Sequence, residues 1–226
     1  MSRPLHCASR NGYIDAMRLL IEHGAKVNML DKHGLIPLNI ASHHGHVDAM
    51  RLLIEHGAGI DMKDCFGRMT LHSASAGGQI NAMKLLIDYG ADVNEKDKYE
   101  STPLYWALME EHIDAMKLLI EHGADINNKN TCGSTPLCWA SMEGYTNEMK
   151  LLIEHGANID NKNICGRTPL HMASRGGHIN AIQLLIDVGA CINEKDNDEW
   201  TPLQHATYNK HTDAIELLKS HEATIN

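Results

Sequence analysis

Aromatic residues are scarce in this sequence: one phenylalanine, three tryptophans and six tyrosines among 226 residues, 4% in all. A core cannot lean on rings at that density, so aliphatic side chains and alanine must fill it. Positive charge is short as well, with 20 Lys and Arg against 29 Asp and Glu and a formal net charge of -9. A general nucleic-acid binder needs a basic footprint to hold phosphates, so no nucleic-acid partner is expected. No window approaches the ~18 consecutive apolar residues of a membrane-spanning helix, and no membrane partner is expected. The opening residues Met1-Ser2-Arg3-Pro4-Leu5-His6-Cys7 hold no apolar stretch with a small-residue cleavage site, so no secretory leader is read there and the expected compartment is the cytoplasm. The six cysteines form no CxxC pair and are too few for a disulfide framework, which points to reduced thiols. HExxH, GxSxG, the P-loop and a strand-turn-helix GxGxxG are all missing. Neither catalysis nor a cofactor is expected. At 43% hydrophobic the chain is still too apolar to stay disordered.

What the sequence does contain is periodicity. Pro-Leu or its equivalent falls at Pro4-Leu5, Pro37-Leu38, Thr70-Leu71, Pro103-Leu104, Pro136-Leu137, Pro169-Leu170 and Pro202-Leu203, always 33 residues apart. Division at Asp31, Asp64, Asp97, Asn130, Asn163 and Asp196 yields repeats 1–30, 31–63, 64–96, 97–129, 130–162, 163–195 and 196–226. They account for every residue, so residues 1–226 read as a single domain.

Each repeat has two helix signals. Thr102 before Pro103 suits a helix N-cap whose hydroxyl accepts from an orphan N–H, and Pro103 sits where a missing N–H costs nothing. After about two turns comes a glycine (Gly12, Gly45, Gly78, Gly144, Gly177). The stretch from Asp48 to His56 then places apolar residues at helical spacing and stops at Gly57. Ala91 to Asp97 alternates and carries turn formers, so it reads as an extended finger into the next repeat. A two-helix unit cannot bury its apolar face alone, so the units must stack on one another.

Thr168-Pro169-Leu170-His171 with Ala173, Gly177-His178, Leu184-Leu185-Ile186-Asp187 before Gly189-Ala190, and Ile192-Asn193 resemble the ankyrin repeat over the whole chain. The resemblance implies an all-α solenoid of helix-turn-helix units with projecting β-hairpin loops. It also implies protein binding without chemistry, on a concave surface of hairpin tips and first helices. The first repeat begins directly at its first helix. In the seventh, Lys219 replaces a recurrent Ile and Glu222 the helix-ending Gly, so both ends read as caps of a finished array.

The repeats also form a comparison internal to one molecule. Leu and Ala at the second and fifth places of the first helix never change, from Leu5 and Ala8 to Leu203 and Ala206. Those places are packing. The fourth, seventh and eighth places lie on another face and vary from repeat to repeat. Trp106, Met109 and Glu110 recur as Trp139, Met142 and Glu143, while Arg175 and Tyr208 occupy the seventh place of later repeats. The finger tips add Phe66, Arg68, Tyr99, Cys132, Arg167 and Trp200. These fourteen residues are the expected partner-binding set, with an apolar and acidic patch around Trp106 and Trp139 at its centre. The competing reading has each indole filling the crevice between consecutive first helices. Glu100 and Glu111 stand where the pattern calls for glycine in a left-handed conformation, at about 1 kcal/mol each, as a site maintained for binding would. Glu199 and Lys210 break the same rule in the last repeat.

Sixteen histidines raise the question of metal, chiefly His33 with His43, His44 and His46. Most recur at fixed places that suit hydrogen bonding to turns and helix ends, no carboxylate or Cys completes a ligand set, and no metal is expected. Leu86 to Asn94 and Leu119 to Asn127 resemble substrates of an asparagine hydroxylase, although the ordinary role of such asparagines is to bond the hairpin backbone. The expected function is a monomeric, non-catalytic module that binds another protein. The alternative is a structural or self-assembling repeat scaffold.

Overall fold

The computed structural model describes residues 4–223, so the outermost residues of the first and seventh repeats lie outside the described part. The chain divides into two compact units, Met1–Ala124 and Asp125–Asn226. The division falls just after the second helix of the fourth repeat.

In the first unit the first helices of the repeats are α1 (Pro4–Asn11), α3 (Pro37–His43), α5 (Thr70–Ala76) and α7 (Pro103–Met109). The second helices are α2 (Ile14–Glu22), α4 (Val47–Glu55), α6 (Ile80–Asp88) and α8 (Ile113–Glu121). Each first helix packs on the first helix of the next repeat, each second helix on the next second helix, and the two helices of a repeat on each other. The second unit repeats this with α9 (Pro136–Glu143), α11 (Pro169–Gly176) and α13 (Pro202–Tyr208) as first helices. Its second helices are α10 (Thr146–Glu154), α12 (Ile179–Asp187) and α14 (Thr212–Ser220). The fold is an all-α solenoid of helix-turn-helix units.

The core is aliphatic, as the shortage of rings requires. Leu38, Ala41, Leu71, Ala74, Leu104 and Ala107 are buried in the first unit, joined by Met50, Leu53, Met83, Leu86, Met116 and Leu119 from the second helices. Leu137, Leu170, Leu203, Ala140, Ala173 and Ala206 take the same places in the second unit. Each fully buried leucine contributes about 1.5–3 kcal/mol relative to exposure.

Local chemistry sets the helix boundaries. The third residue of several first helices reaches back to the N–H of the residue before the helix. Asn39 Oδ1 accepts from Ile36 at 2.9 Å, His72 Nδ1 from Met69 at 3.1 Å and Gln204 Oε1 from Thr201 at 2.7 Å. Thr135 and Thr201 cap with their hydroxyls as well, accepting from Cys138 and Gln204. Thr102 sits at the N-cap position but its buried hydroxyl accepts from no backbone N–H. That helix starts on its backbone instead, Trp106 N–H donating to the Thr102 carbonyl at 3.2 Å. The second helices end as the glycines imply: Gly57 adopts φ +83° and its N–H donates to the Ile54 carbonyl.

The projecting loops differ from the expected β-hairpins, because no strand forms among the described residues. Each finger is a closed turn. In the third repeat Asp64 N–H donates to the Arg68 carbonyl at 3.0 Å, and Gly67 N–H returns to Asp64 at 3.0 Å. Asp64 Oδ1 then accepts from the N–H groups of Phe66 and Arg68 at 2.8 and 2.9 Å. A side-chain acceptor does inside one finger what a ladder does between strands.

Histidine and asparagine join one repeat to the next. His6, His72 and His171 donate through Nε2 to the carbonyls of Leu35, Ser101 and Trp200 in the following repeat. His46, His112, His178 and His211 reach the opposite way, to Arg10, Ala76, Met142 and Arg175 carbonyls. His112 lies so close to Gly78 that a Cβ there would stand 2.7 Å from the imidazole, which, with φ +63°, explains the glycine. Asn94 Nδ2 donates to the Gly123 carbonyl at 3.0 Å and Asn127 Nδ2 to that of Gly156 at 3.5 Å. Both asparagines thus bond the backbone of the repeat that follows.

Candidate functional site

The variable face of the first unit holds a cleft of about 260 Å³. Arg10 from α1, Ile40, His43 and His44 from α3 and its end, Ser73 and Ala76 from α5, and Trp106 and Glu110 from α7 line it, together with the finger residue Arg68. These are the places that change between repeats, brought to one side because the unchanging Leu and Ala places face inward.

Trp106 is held on two sides. Its Nε1 donates to Asp97 Oδ2 at 3.0 Å, and the Arg68 guanidinium lies 5.0 Å from the ring centre. Arg68 also lies 5.1 Å from the Phe66 ring and donates from Nε to Asp64 Oδ2 at 2.8 Å. Cation–π contacts of this kind contribute about 0.5–2 kcal/mol, and a hydrogen bond to a buried carboxylate about 1.5–3 kcal/mol. The indole remains half-buried, so it lines the cleft without being sealed. The ring thus rests against Asp97 and Arg68 and still presents an edge to solvent.

The second unit has a larger cleft, about 440 Å³, lined by Arg167, Arg175, Asp198, Trp200, His205, Tyr208 and Asn209. The rings of Trp200 and Tyr208 meet at 5.3 Å and 62°. Asp196 lies beneath with its side chain fully enclosed, accepting from Arg167 Nε at 3.1 Å and close to His205 Nε2 at 2.8 Å. Burial alone would raise its pKa, but His205, the Trp200 N–H, Arg167 and the Asp198 N–H outweigh that and hold the carboxyl at about 2. His171 is pressed the other way: burial lowers it to about 4 against a raising bond to the Trp200 carbonyl. Its Nδ1 accepts from Thr168 N–H at 3.2 Å, as the neutral ring requires.

Of the expected set, Arg68, Trp106 and Glu110 meet in the first cleft with Phe66 beside them, and Arg167, Arg175, Trp200 and Tyr208 meet in the second. Tyr99 is exposed at its finger tip, its N–H on Asp97 Oδ1 at 2.8 Å, and lies outside the first cleft together with half-buried Met109. Half-buried Trp139 and Met142, with exposed Cys132 and Glu143, line neither cleft. The grouping by place in the sequence missed Arg10, which occupies the same seventh place as Arg175, and Asp198 at the finger tip beside Trp200.

Glu100, Glu111, Glu199 and Lys210 adopt φ between 58° and 62°, the left-handed geometry read from the glycine pattern. Lys96 and Lys195 partner Glu100 and Glu199 at 3.2 and 3.3 Å. Among the described residues no group of three or more His, Cys, Asp or Glu converges as a metal site. His43 Nδ1 lies instead 3.2 Å from the Ser73 carbonyl. None of the described helices is long and apolar enough to cross a membrane.

The family model described as "Ankyrin repeats (3 copies)" matches residues 2–64, 56–130 and 137–226. Among solved structures, the human ASB11 ankyrin repeat domain is similar at 27% identity and a TM-score of 0.85, over 96% of this chain and 98% of that one. The ankyrin repeat domain of Bcl-3, a member of the IkappaB protein family, is similar at 27% identity and a TM-score of 0.79, over 95% and 98%. No curated protein sequence matches the chain.

Proposed function

We propose, since the chain belongs to the ankyrin repeat family, that it is a non-catalytic module binding another protein along the faces formed by its first helices and finger tips. Ankyrin repeat domains are in general protein–protein interaction modules. One observation carries the finer reading: within each unit the places that never change are buried, and places that vary line a cleft. In the first unit the contact residues are Arg10, Phe66, Arg68, Trp106 and Glu110, with Tyr99 and Met109 at its margin. In the second they are Arg167, Arg175, Trp200 and Tyr208, and Cys132, Trp139, Met142 and Glu143 belong to the same variable places. Each of the repeats from 1–30 to 196–226 supplies a two-helix unit of this kind. Binding needs little reordering, because Trp106 and Trp200 are held by buried acids before a partner arrives.

The test is affinity capture with identification of the captured protein, followed by a comparison of variants. Trp106→Ala and Arg175→Glu should each weaken the identified partner at least tenfold while circular dichroism stays unchanged. A partner bound equally by wild type and both variants removes the clefts from the binding surface.

A scaffold role by self-association is the second reading, and one observation favours it. Leu19 on α2 is 57% exposed, whereas Leu52, Leu85, Leu118 and Leu151 at the same place are at most 7% exposed. A single mass at high concentration equal to one chain counts against this reading.

A further inference from the structure

The cleft of the second unit, taken as a partner site on the reading above, has a charge distribution that specifies its occupant. Four charged side chains stand in or under it. Arg167 is already committed, its Nε on Asp196 Oδ2 at 3.1 Å and its Nη2 on Asp198 Oδ2 at 3.4 Å. Asp196 is enclosed and also takes the N–H groups of Asp198 and Trp200 at 2.9 and 3.0 Å. Arg175 is the remainder. It is exposed on the last turn of α11, and its side chain makes no hydrogen bond or ion pair among the described residues. His211 Nε2 lies 3.0 Å from its backbone carbonyl, so the main chain under the open guanidinium is fixed.

We propose that this cleft takes an extended peptide segment through a Glu or Asp side chain, with Arg175 as its ion partner and the Trp200–Tyr208 pair as the ledge for an adjoining apolar side chain. A guanidinium offers a planar fork of donors that matches a carboxylate. The ledge is ready-made: the Trp200 main chain is pinned by its backbone N–H on Asp196 and its carbonyl to His171, and Tyr208 stands 72% exposed against the Trp200 ring. A phosphate fits less well, because its charge of about -2 would meet the exposed Asp198 carboxylate with only one uncommitted arginine to offset it. The first unit's cleft holds related groups in a different layout: Arg68 locked on Asp64 of its own repeat, the indole of Trp106 on a first helix rather than a finger, Arg10 from two repeats before Arg68 with no side-chain hydrogen bond or ion pair among the described residues, and the Glu110 carboxylate.

The experiment follows the Trp200 indole N–H resonance of the full chain, assigned with Trp200→Phe, during titration with Ac-Gly-Leu-Glu-Leu-Gly-NH2 and the same peptide with Gln or Lys at its centre. The Glu peptide should shift the resonance and bind about 5-fold tighter than the Gln peptide, with the Lys peptide weakest. Arg175→Gln should erase the preference for Glu and leave affinity for the Gln peptide unchanged. Equal binding of the Glu and Gln peptides, a preference for Lys, or a preference that survives Arg175→Gln overturns the acid assignment while the cleft stands as a peptide site. No shift at Trp200 with any of the three peptides overturns both.

Discussion

Trp106 donates its indole N–H to Asp97 Oδ2 at 3.0 Å, nine residues back along the chain. His205 Nε2 approaches Asp196 Oδ2 across the same nine-residue spacing, at 2.8 Å. The first place of a repeat therefore does two things with one side chain. Its Oδ1 closes the finger by accepting two backbone N–H groups, and its second oxygen holds the residue at the fourth place of the first helix, beside the cleft. Finger shape and cleft lining are coupled through a buried carboxylate.

Asp97→Asn should separate those two tasks. The amide keeps an acceptor for the Tyr99 and Ser101 N–H groups but turns a donor toward the Trp106 N–H. The expected cost is about 1–3 kcal/mol in urea unfolding, with a red shift of tryptophan emission as the indole loosens. Asp97→Ala should cost more, because it frees the finger as well. Unchanged emission and stability in Asp97→Asn would show that the bond to the indole contributes nothing.

The two faces of α5 should respond very differently to truncation. Leu71 is buried between neighbouring helices, and Leu71→Ala is expected to cost about 2–5 kcal/mol. Ser73, two residues on, lines the first cleft and should tolerate Ala within about 0.5 kcal/mol. Denaturant midpoints of the two variants decide this.

Acid should destabilise the fold in two steps. The folded pKa of His171 is depressed from 6.5 to about 4, chiefly by burial. The unfolded chain thus takes up the proton first, and the contribution present above pH ~6.5 is lost as pH falls to about 4. The loss is about 3 kcal/mol. Burial lowers His72 in the same direction. Asp196 acts below that, its carboxyl held at about 2 against an ordinary 3.8, so its contribution is intact above pH ~4 and disappears toward pH 2. His171→Asn, with the side chain that Asn39 supplies at the same place, should flatten the stability profile between pH 6.5 and 4. A slope identical to wild type would remove His171 as its cause.

Glu100→Gly and Glu111→Gly should each stabilise the chain by up to about 1 kcal/mol, since φ values of 59° and 58° strain any residue with a Cβ. Thermal unfolding measures the gain. If the glutamates are kept for binding, the same variants should lose affinity for the partner as they gain stability. A gain in stability with affinity intact assigns them no part in recognition.

The positions of the helices were legible in the sequence because their causes are local and repeat every 33 residues. Proline at the first helical turn, with Thr70 in its place once, glycine at the end, with Glu222 in its place once, and leucine at fixed spacing carry the same instruction from repeat to repeat. The unchanging Leu and Ala places announced the core, and Glu100, Glu111, Glu199 and Lys210 announced their left-handed backbone by standing where glycine belongs. The closed turns in place of hairpins were less visible, since the sequence shows an Asp or Asn at the first place without saying that its oxygen replaces a ladder. Which variable residues share a cleft was not legible at all. Arg68 reaches Trp106 across 38 positions, and Arg175 lines one cleft with Tyr208 across 33, groupings that depend on one repeat seating against the next. Only packing brings such residues together and leaves Arg10 and Arg175 open, while Arg68 and Arg167 are claimed by buried acids. Local periodicity therefore determined the fold. Contacts between repeats, set by side chains far apart in the chain, decided what the surface has to offer.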